Sequence, residues 1–263
     1  MNLSKIIILI LLSLALQSCG KKRSSERQKM PISPQEILFL LENQTLDCDT
    51  VSGTRCPEGI AKVFVINPVN RNDSHLCTGF MNGSNRLVTN NHCVANEAEC
   101  SNTFFSIYDG TGSQTARCKR IISTGNDEKP LENRAVDYTV LELDRSLPDL
   151  ERLEIADSEP EIGETLTAWV MDHFEGGLRS RITELDCKAL NRIDSLELGN
   201  CQAIQGNSGS PLLNSSNEVV GVIWGASLDE SVKAEFPLEQ RRARNENAYA
   251  TEVKFFKTSL ITE

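Results

Sequence analysis

Gln205-Gly206-Asn207-Ser208-Gly209-Ser210-Pro211, QGNSGSP, is the stretch on which the reading of this chain turns. Gly, Asn and Ser tolerate a left-handed backbone and bond their own main chain, so taken alone the segment describes a tight turn between two strands. It also holds Ser208. A serine hydroxyl is a poor nucleophile until a base takes its proton, and the base needs an orienting carboxylate. Residues elsewhere in the chain must decide between turn and nucleophile.

The chain has three histidines, His75, His92 and His173, all upstream of Ser208. This order excludes the Ser, Asp, His sequence of the α/β-hydrolases, and GNSGS does not fit their G-x-S-x-G elbow. His92 stands out because it closes Leu87-Val88-Thr89-Asn90-Asn91-His92-Cys93, a β run that stops at a polar corner. A disulfide from Cys93 to Cys77, which opens Cys77-Thr78-Gly79-Phe80, would fix that corner with a stabilisation of roughly 3 kcal/mol. His75 and His173 have no comparable setting and read as ordinary loop residues. Between His92 and Ser208 lies Asp137, leading into the apolar run Tyr138 to Leu143. A carboxylate entering a buried strand is costly unless something bonds it, and an imidazole N–H would do so. Glu142 and Asp144, on the same run, read as a solvent-facing residue and a turn residue.

Working outward, the chain from about Ile60 reads as strands: Ala61–Ile66, Arg86–Thr89, Phe104–Tyr108, Tyr138–Leu143, Leu166–Val170 and Glu218–Trp224. Turn signals such as Asn82-Gly83-Ser84 and Asp109-Gly110-Thr111-Gly112 punctuate them. Many short strands of this kind predict an all-β sandwich or barrel. Only two stretches look helical. Ser33-Pro34-Gln35-Glu36 forms a capping box ahead of Ile37, Leu38, Leu40 and Leu41, and Val253 to Ile261 closes the chain.

A formal net charge of −10 over 263 residues implies no phosphate-binding surface, and so no nucleic-acid partner. The N-terminus departs from the soluble composition of the rest. Lys5 precedes the apolar run Ile6 to Leu12, and Leu16-Gln17-Ser18-Cys19 follows, which describes a secretory signal rather than a bilayer-spanning helix. LQSC resembles the bacterial lipoprotein signal, in which Cys19 is acylated and becomes the first mature residue. Gly20 after it resembles the pattern sent on to the outer membrane. The polar, basic stretch GKKRSSERQKM then reads as a flexible tether. Of nine cysteines, lipidation of Cys19 leaves an even set, which in an exported chain reads as disulfides. Eight cysteines allow 105 pairings; sequence neighbours suggest Cys48–Cys56, Cys77–Cys93, Cys100–Cys118 and Cys187–Cys201.

TNNHC, the DYTVLEL strand and GNSGSP, in this order, resemble the chymotrypsin/trypsin-like serine proteases, over roughly Ile60 to the C-terminus. The resemblance implies two six-stranded antiparallel β-barrels and a short C-terminal helix. Together with the lipoprotein signal, it divides the chain into a signal (1–18), a lipid-anchored tether with a helical extension (19–58), a first barrel (59–150) and a second barrel with the helix (151–263). It implies His92 as general base, Asp137 as its orienting partner, Ser208 as nucleophile, and the N–H groups of Gly206 and Ser208 as oxyanion hole, with no metal or organic cofactor. The implied protein is a monomeric endopeptidase acting on protein or peptide, held to the membrane by the lipid on Cys19, at the outer membrane, the periplasmic face or the cell surface. A silent scaffold on the same barrels, or an esterase using the same residues, are the competing readings.

Three positions depart from the family. Asn207 stands where the trypsins carry the aspartate that receives a new N-terminal amine after zymogen cleavage. Ser210 replaces the usual glycine before Pro211, and Ile223 precedes Trp224-Gly225 where the family often has serine. By resemblance, Gln202 forms the base of the specificity pocket, with Ala203, Ile223, Trp224 and Gly225 along its walls. A neutral base does not select a buried basic side chain. Ile223 also replaces the histidine of glutamyl-specific relatives, so the expectation is a neutral pocket. Asp229, Glu230 or Glu235, in the loop after Trp224-Gly225, could reach into it from the far wall.

Overall fold

The computed structural model describes Leu41 and residues 46–50, 53, 55–67, 74–125, 136–174, 179–193, 195–226 and 247–261. All of them belong to the compact unit Gln35–Glu263. The signal, Cys19, the tether and the three acids of the 227–246 loop lie outside the described residues. So does the helix proposed after Ser33, apart from Leu41, which is helical and buried against Phe104.

Thirteen strands are present among the described residues. After β1 (Leu46–Asp49), the strands β2 (Ile60–Val65), β3 (His75–Met81), β4 (Arg86–Thr89), β5 (Thr103–Tyr108), β6 (Ser113–Thr124) and β7 (Thr139–Leu143) close into one barrel in the order β2-β3-β4-β7-β6-β5. Then β8 (Thr165–Phe174), β9 (Arg179–Arg192), β10 (Leu196–Gly199), β11 (Pro211–Leu213), β12 (Val219–Ala226) and β13 (Asn247–Glu252) form a second ring, β9-β10-β13-β12-β11-β8, shut by the β8–β9 pairing. Both rings are antiparallel. Closure removes the free edges that an open sheet of this size would leave.

Period-two patterning makes the two cores. Ala61, Val63 and Val65 of β2 point into the first barrel with Phe105, Ile107 and Leu141. Leu166, Ala168 and Val170 of β8 point into the second with Leu198, Leu212 and Ala250. The alternate residues of β8, Trp169 and Met171, are also buried, in a third cluster that joins Ile60, Phe80, Val88 and Tyr138 of the first barrel to Val222, Val253 and Phe256. β8 is therefore apolar on both faces because it lies at the seam between barrels, where burial of each such side chain is worth about 1.5–3 kcal/mol.

Four disulfides brace the unit: Cys48–Cys56, Cys77–Cys93, Cys100–Cys118 and Cys187–Cys201. The first has a role that sequence reading did not suggest. The sequence places residues 46–49 in the helical extension, but they form β1, which runs parallel to β9 of the second barrel. Cys56 leads into β2 of the first, so the bridge straps one barrel to the other.

Several local expectations are corrected. His75 and His173 are strand residues, not loop residues. Glu142 is only 9% exposed, because Lys119 and Arg120 of the neighbouring β6 pair with its carboxylate and let it be enclosed. These two cations hold its pKa below the usual range. A one-turn helix, α1 (Glu97–Cys100), is capped by Asn96, whose side chain accepts from the Glu99 N–H at 3.0 Å. The C-terminal segment starts as a 3₁₀ turn (Val253–Phe255) before α2 (Lys257–Ile261).

Candidate active site

The polar corner after β4 is a tight turn. The Asn90 carbonyl accepts from the N–H groups of Cys93 (3.2 Å) and Val94 (3.3 Å). The Asn90 side chain donates to the Asp137 carbonyl at 2.6 Å. Thr139 Oγ1 holds the Val94 carbonyl at 3.0 Å, and the Cys77–Cys93 bridge ties the corner to β3. His92 is thus carried on a backbone fastened from three sides.

Asp137 meets that corner from the start of β7. Its Oδ2 lies 2.6 Å from His92 Nδ1, and its Oδ1 accepts the His92 backbone N–H at 3.1 Å. The carboxylate side chain is 3% exposed and the imidazole 39%. A carboxylate only accepts, so Nδ1 carries the proton and the Nε2 lone pair is left on the exposed side. Thr251 Oγ1 of β13 reaches the Asp137 carbonyl at 3.3 Å, bringing the second barrel to the same point. His92 also lies close to the sulfurs of Cys77 and Cys93, but these are joined in a disulfide and offer no thiolates to a metal.

Ser208 sits on the loop between Cys201 and β11. Gly206 (φ 96°) and Gly209 (φ 90°) adopt left-handed backbone. At Gly209 a Cβ would fall 1.9 Å from the Thr78 carbonyl, so only glycine fits. Asn207 knots the loop from within: its Oδ1 accepts from the Ile204 N–H (2.9 Å), and its Nδ2 donates to the Met171 carbonyl (3.0 Å) and Asp172 Oδ1 (3.4 Å). Thr78 of the first barrel holds both flanking carbonyls, with its N–H on Ser208 (2.7 Å) and its Oγ1 on Gly206 (3.0 Å). With those carbonyls turned inward, no hydrogen bond among the described residues engages the N–H of Gly206 or of Ser208. Ser208 Oγ is 3.5 Å from the Trp224 carbonyl, and it makes no hydrogen bond to His92.

The residues expected to line a pocket divide. Gln202 is exposed and Ala203 buried. Ile223 is 1% exposed and packs with Ala203, Ala248 and Ala250 inside the second barrel. Its backbone ties β12 to the Ser208 loop, through Gly209 N–H to Ile223 carbonyl (2.8 Å) and Ile223 N–H to Ser210 carbonyl (2.9 Å). Trp224 stacks on Tyr249 with ring centroids 5.3 Å apart, beside half-buried Gly225. Sequence reasoning missed Thr78, Asn90, Asp172 and Thr251. Only Asn90 carried a signal, as a polar residue ending a buried strand; the others act through contacts that no local pattern announces.

The model of the trypsin-like peptidase domain matches residues 77–222, more than half of the chain and the part that holds His92, Asp137 and Ser208. The chain belongs to the trypsin-like peptidase family. No curated protein sequence matches it. Among solved structures, this family member is similar to the active form of the Rv3671c protease from M. tuberculosis, with a TM-score of 0.53 and 18% identity over 82% of this chain and 88% of that one. It is also similar to the thermostable serine protease AL20 from an extremophilic microorganism (TM-score 0.54, 13% identity, 77% and 94% covered). A third neighbour is an inactivated protease paralogue of the scabies mite (TM-score 0.53, 15% identity, 78% and 94% covered). At such identities these trypsin-like neighbours share the fold, and one of them is described as inactivated.

Proposed function

We propose that this trypsin-like chain is a serine endopeptidase that cleaves peptide bonds through an acyl-enzyme on Ser208. The observation that carries the reading is the 2.6 Å contact of His92 Nδ1 with buried Asp137, beside a glycine-framed loop that leaves two N–H groups unengaged. Ser208 Oγ attacks the scissile carbonyl carbon while His92 Nε2 takes its proton. Asp137 keeps the proton on Nδ1 and stabilises the imidazolium that forms. Gly206 and Ser208 donate their N–H groups to the developing oxyanion, which is where preorganised donors contribute most to the rate. His92 then gives its proton to the leaving amine, and water attacks the acyl-enzyme by the reverse path.

Labelling of the purified protein with a fluorophosphonate tests this reading, with Ser208→Ala as control. Stoichiometric labelling of the wild type, lost in Ser208→Ala without a change in melting, is the expected result. A wild type that never labels points to the second reading, a silent scaffold. The missing hydrogen bond between Ser208 and His92 favours that rival, although such bonds often tighten only with substrate bound. Ester turnover without peptide cleavage would mark an esterase.

We further propose export and anchoring through a lipid on Cys19, motivated by LQSC and the even remainder of cysteines. Cys19→Ser should release the protein from the detergent phase, and a mature chain without lipid mass would exclude the anchor. For the acyl side of the cut bond we propose neutral side chains, since uncharged Gln202 and Ala203 precede the loop. A cleavage library dominated by Arg and Lys would overturn that preference.

A further inference from the structure

Of the three histidines, His173 is half-buried with its Nε2 enclosed, and the mechanism above does not use it. It lies near the end of β8, next to Asp172 and Met171, which receive the Asn207 side chain. Its Nδ1 is 3.1 Å from the hydroxyl of Ser180, its direct partner across the β8–β9 pair. Ser180 is itself 1% exposed. The opposite edge of the ring faces Gly206: a Cβ built there would come within 2.8 Å of His173 Cδ2 and 3.4 Å of Nε2. Nε2 is buried, with the Gly206 backbone as its polar neighbour. Burial pushes the imidazole down to about 3, the Lys62 charge acting in the same direction, while Asp172 and the Gly206 backbone oppose. The ring is therefore an uncharged wall at any ordinary working pH.

Gly206 needs such a wall. Glycine at φ 96° has the widest backbone freedom of any residue, and a rotation of its peptide plane would turn the N–H away from the cleft. Thr78 Oγ1 holds the carbonyl side of the residue. The His173 ring lies nearest to the space a side chain would otherwise occupy, at 2.8 Å, ahead of the Leu76 carbonyl at 3.8 Å. We propose that His173 is a positioning residue that braces Gly206 so that its N–H faces the oxyanion. This inference rests on the serine-endopeptidase reading.

The test compares His173→Ala, His173→Phe and Ser180→Ala with the wild type, using kcat per fluorophosphonate-titrated site on a peptide ester. KM, the affinity of a peptide aldehyde that forms a tetrahedral adduct, and the melting temperature complete the comparison. Loss of one oxyanion donor costs about 100- to 1,000-fold, so a loosened one in His173→Ala should lower kcat about 10- to 100-fold. Aldehyde affinity should fall in parallel, with KM within about twofold. His173→Phe, which restores a flat ring but no hydrogen bond, should recover most of the loss. Ser180→Ala keeps the ring and guards against misfolding of the larger change; its expected loss is smaller than that of His173→Ala. Wild-type kcat and aldehyde affinity per titrated site in His173→Ala would overturn the positioning role while leaving the peptidase reading intact. So would a deficit that Phe does not repair. Failure of the wild type itself to label or turn over would instead remove the reading on which the role depends.

Discussion

A single carboxylate, Asp137, holds both the ring and the main chain of His92: Oδ2 lies 2.6 Å from Nδ1 and Oδ1 receives the backbone N–H at 3.1 Å. Its own carbonyl is fastened in turn by Asn90 and Thr251, one from each barrel. Orientation of the imidazole is thus a property of the seam between barrels rather than of the His92 turn.

Asp137→Asn preserves volume and the carbonyl bonds, but its amide can donate towards Nδ1 and favour the tautomer whose Nε2 cannot accept a proton. The expected outcome is a fall in kcat on the order of 10⁴-fold with melting nearly unchanged. A variant that keeps kcat within threefold would show that imidazole orientation does not limit the reaction.

Asn207 is 1% exposed and donates to the Met171 carbonyl and the Asp172 carboxylate. In Asn207→Asp both contacts become repulsive, a destabilisation of about 2–4 kcal/mol at neutral pH. The new carboxylate faces the Asp172 carboxylate and the Met171 carbonyl, so its folded pKa lies above its unfolded value. Full stability therefore holds below the unfolded pKa of about 3.9 and is lost as pH rises from there. The melting deficit against wild type should be large at pH 7 and small at pH 4; an equal deficit at both would exclude the charge as its cause.

Lys62 is 1% exposed on β2, and burial pushes its ammonium down to about 8. Between pH 8 and 10.5 the unfolded chain holds a proton that the folded chain has released, so stability rises with pH across that window. Lys62→Met removes the buried charge. The rise in urea midpoint that wild type shows from pH 7 to pH 9.5 should be absent from this variant. An equal rise in both proteins would mean that another group causes it.

Removing Cys77–Cys93 by paired serine substitution should cost about 3 kcal/mol and also lower kcat, because the bridge holds the residue next to His92. Removing Cys48–Cys56 serves as comparison. That bridge straps β1 to the entry of β2, and its loss should lower stability with kcat unchanged. Equal effects on kcat would indicate that the His92 corner needs no covalent support.

What the sequence by itself determined is local chemistry in a fixed order. The alternation around Val63, Leu87 and Val140 announces strands because side-chain direction has period two. QGNSGSP announces its own turn because left-handed backbone calls for glycine. Polar residues flanking buried strands mark His92 and Asp137, since a buried polar group must find a partner. Contacts made across the seam left no such trace. Lys62, Glu142 and His173 carry residue types that ordinarily sit in water, yet Lys62 and Glu142 are buried and His173 is half-buried. Thr78 is silent in sequence, yet it holds two carbonyls of a loop some 130 residues away. In sequence Leu46–Asp49 fall within the helical extension, yet they form a strand because Ser180–Thr183 of β9, beyond its pairing with β10, accept it. In each case the deciding energy is burial or hydrogen bonding against a surface that exists only once both barrels have closed.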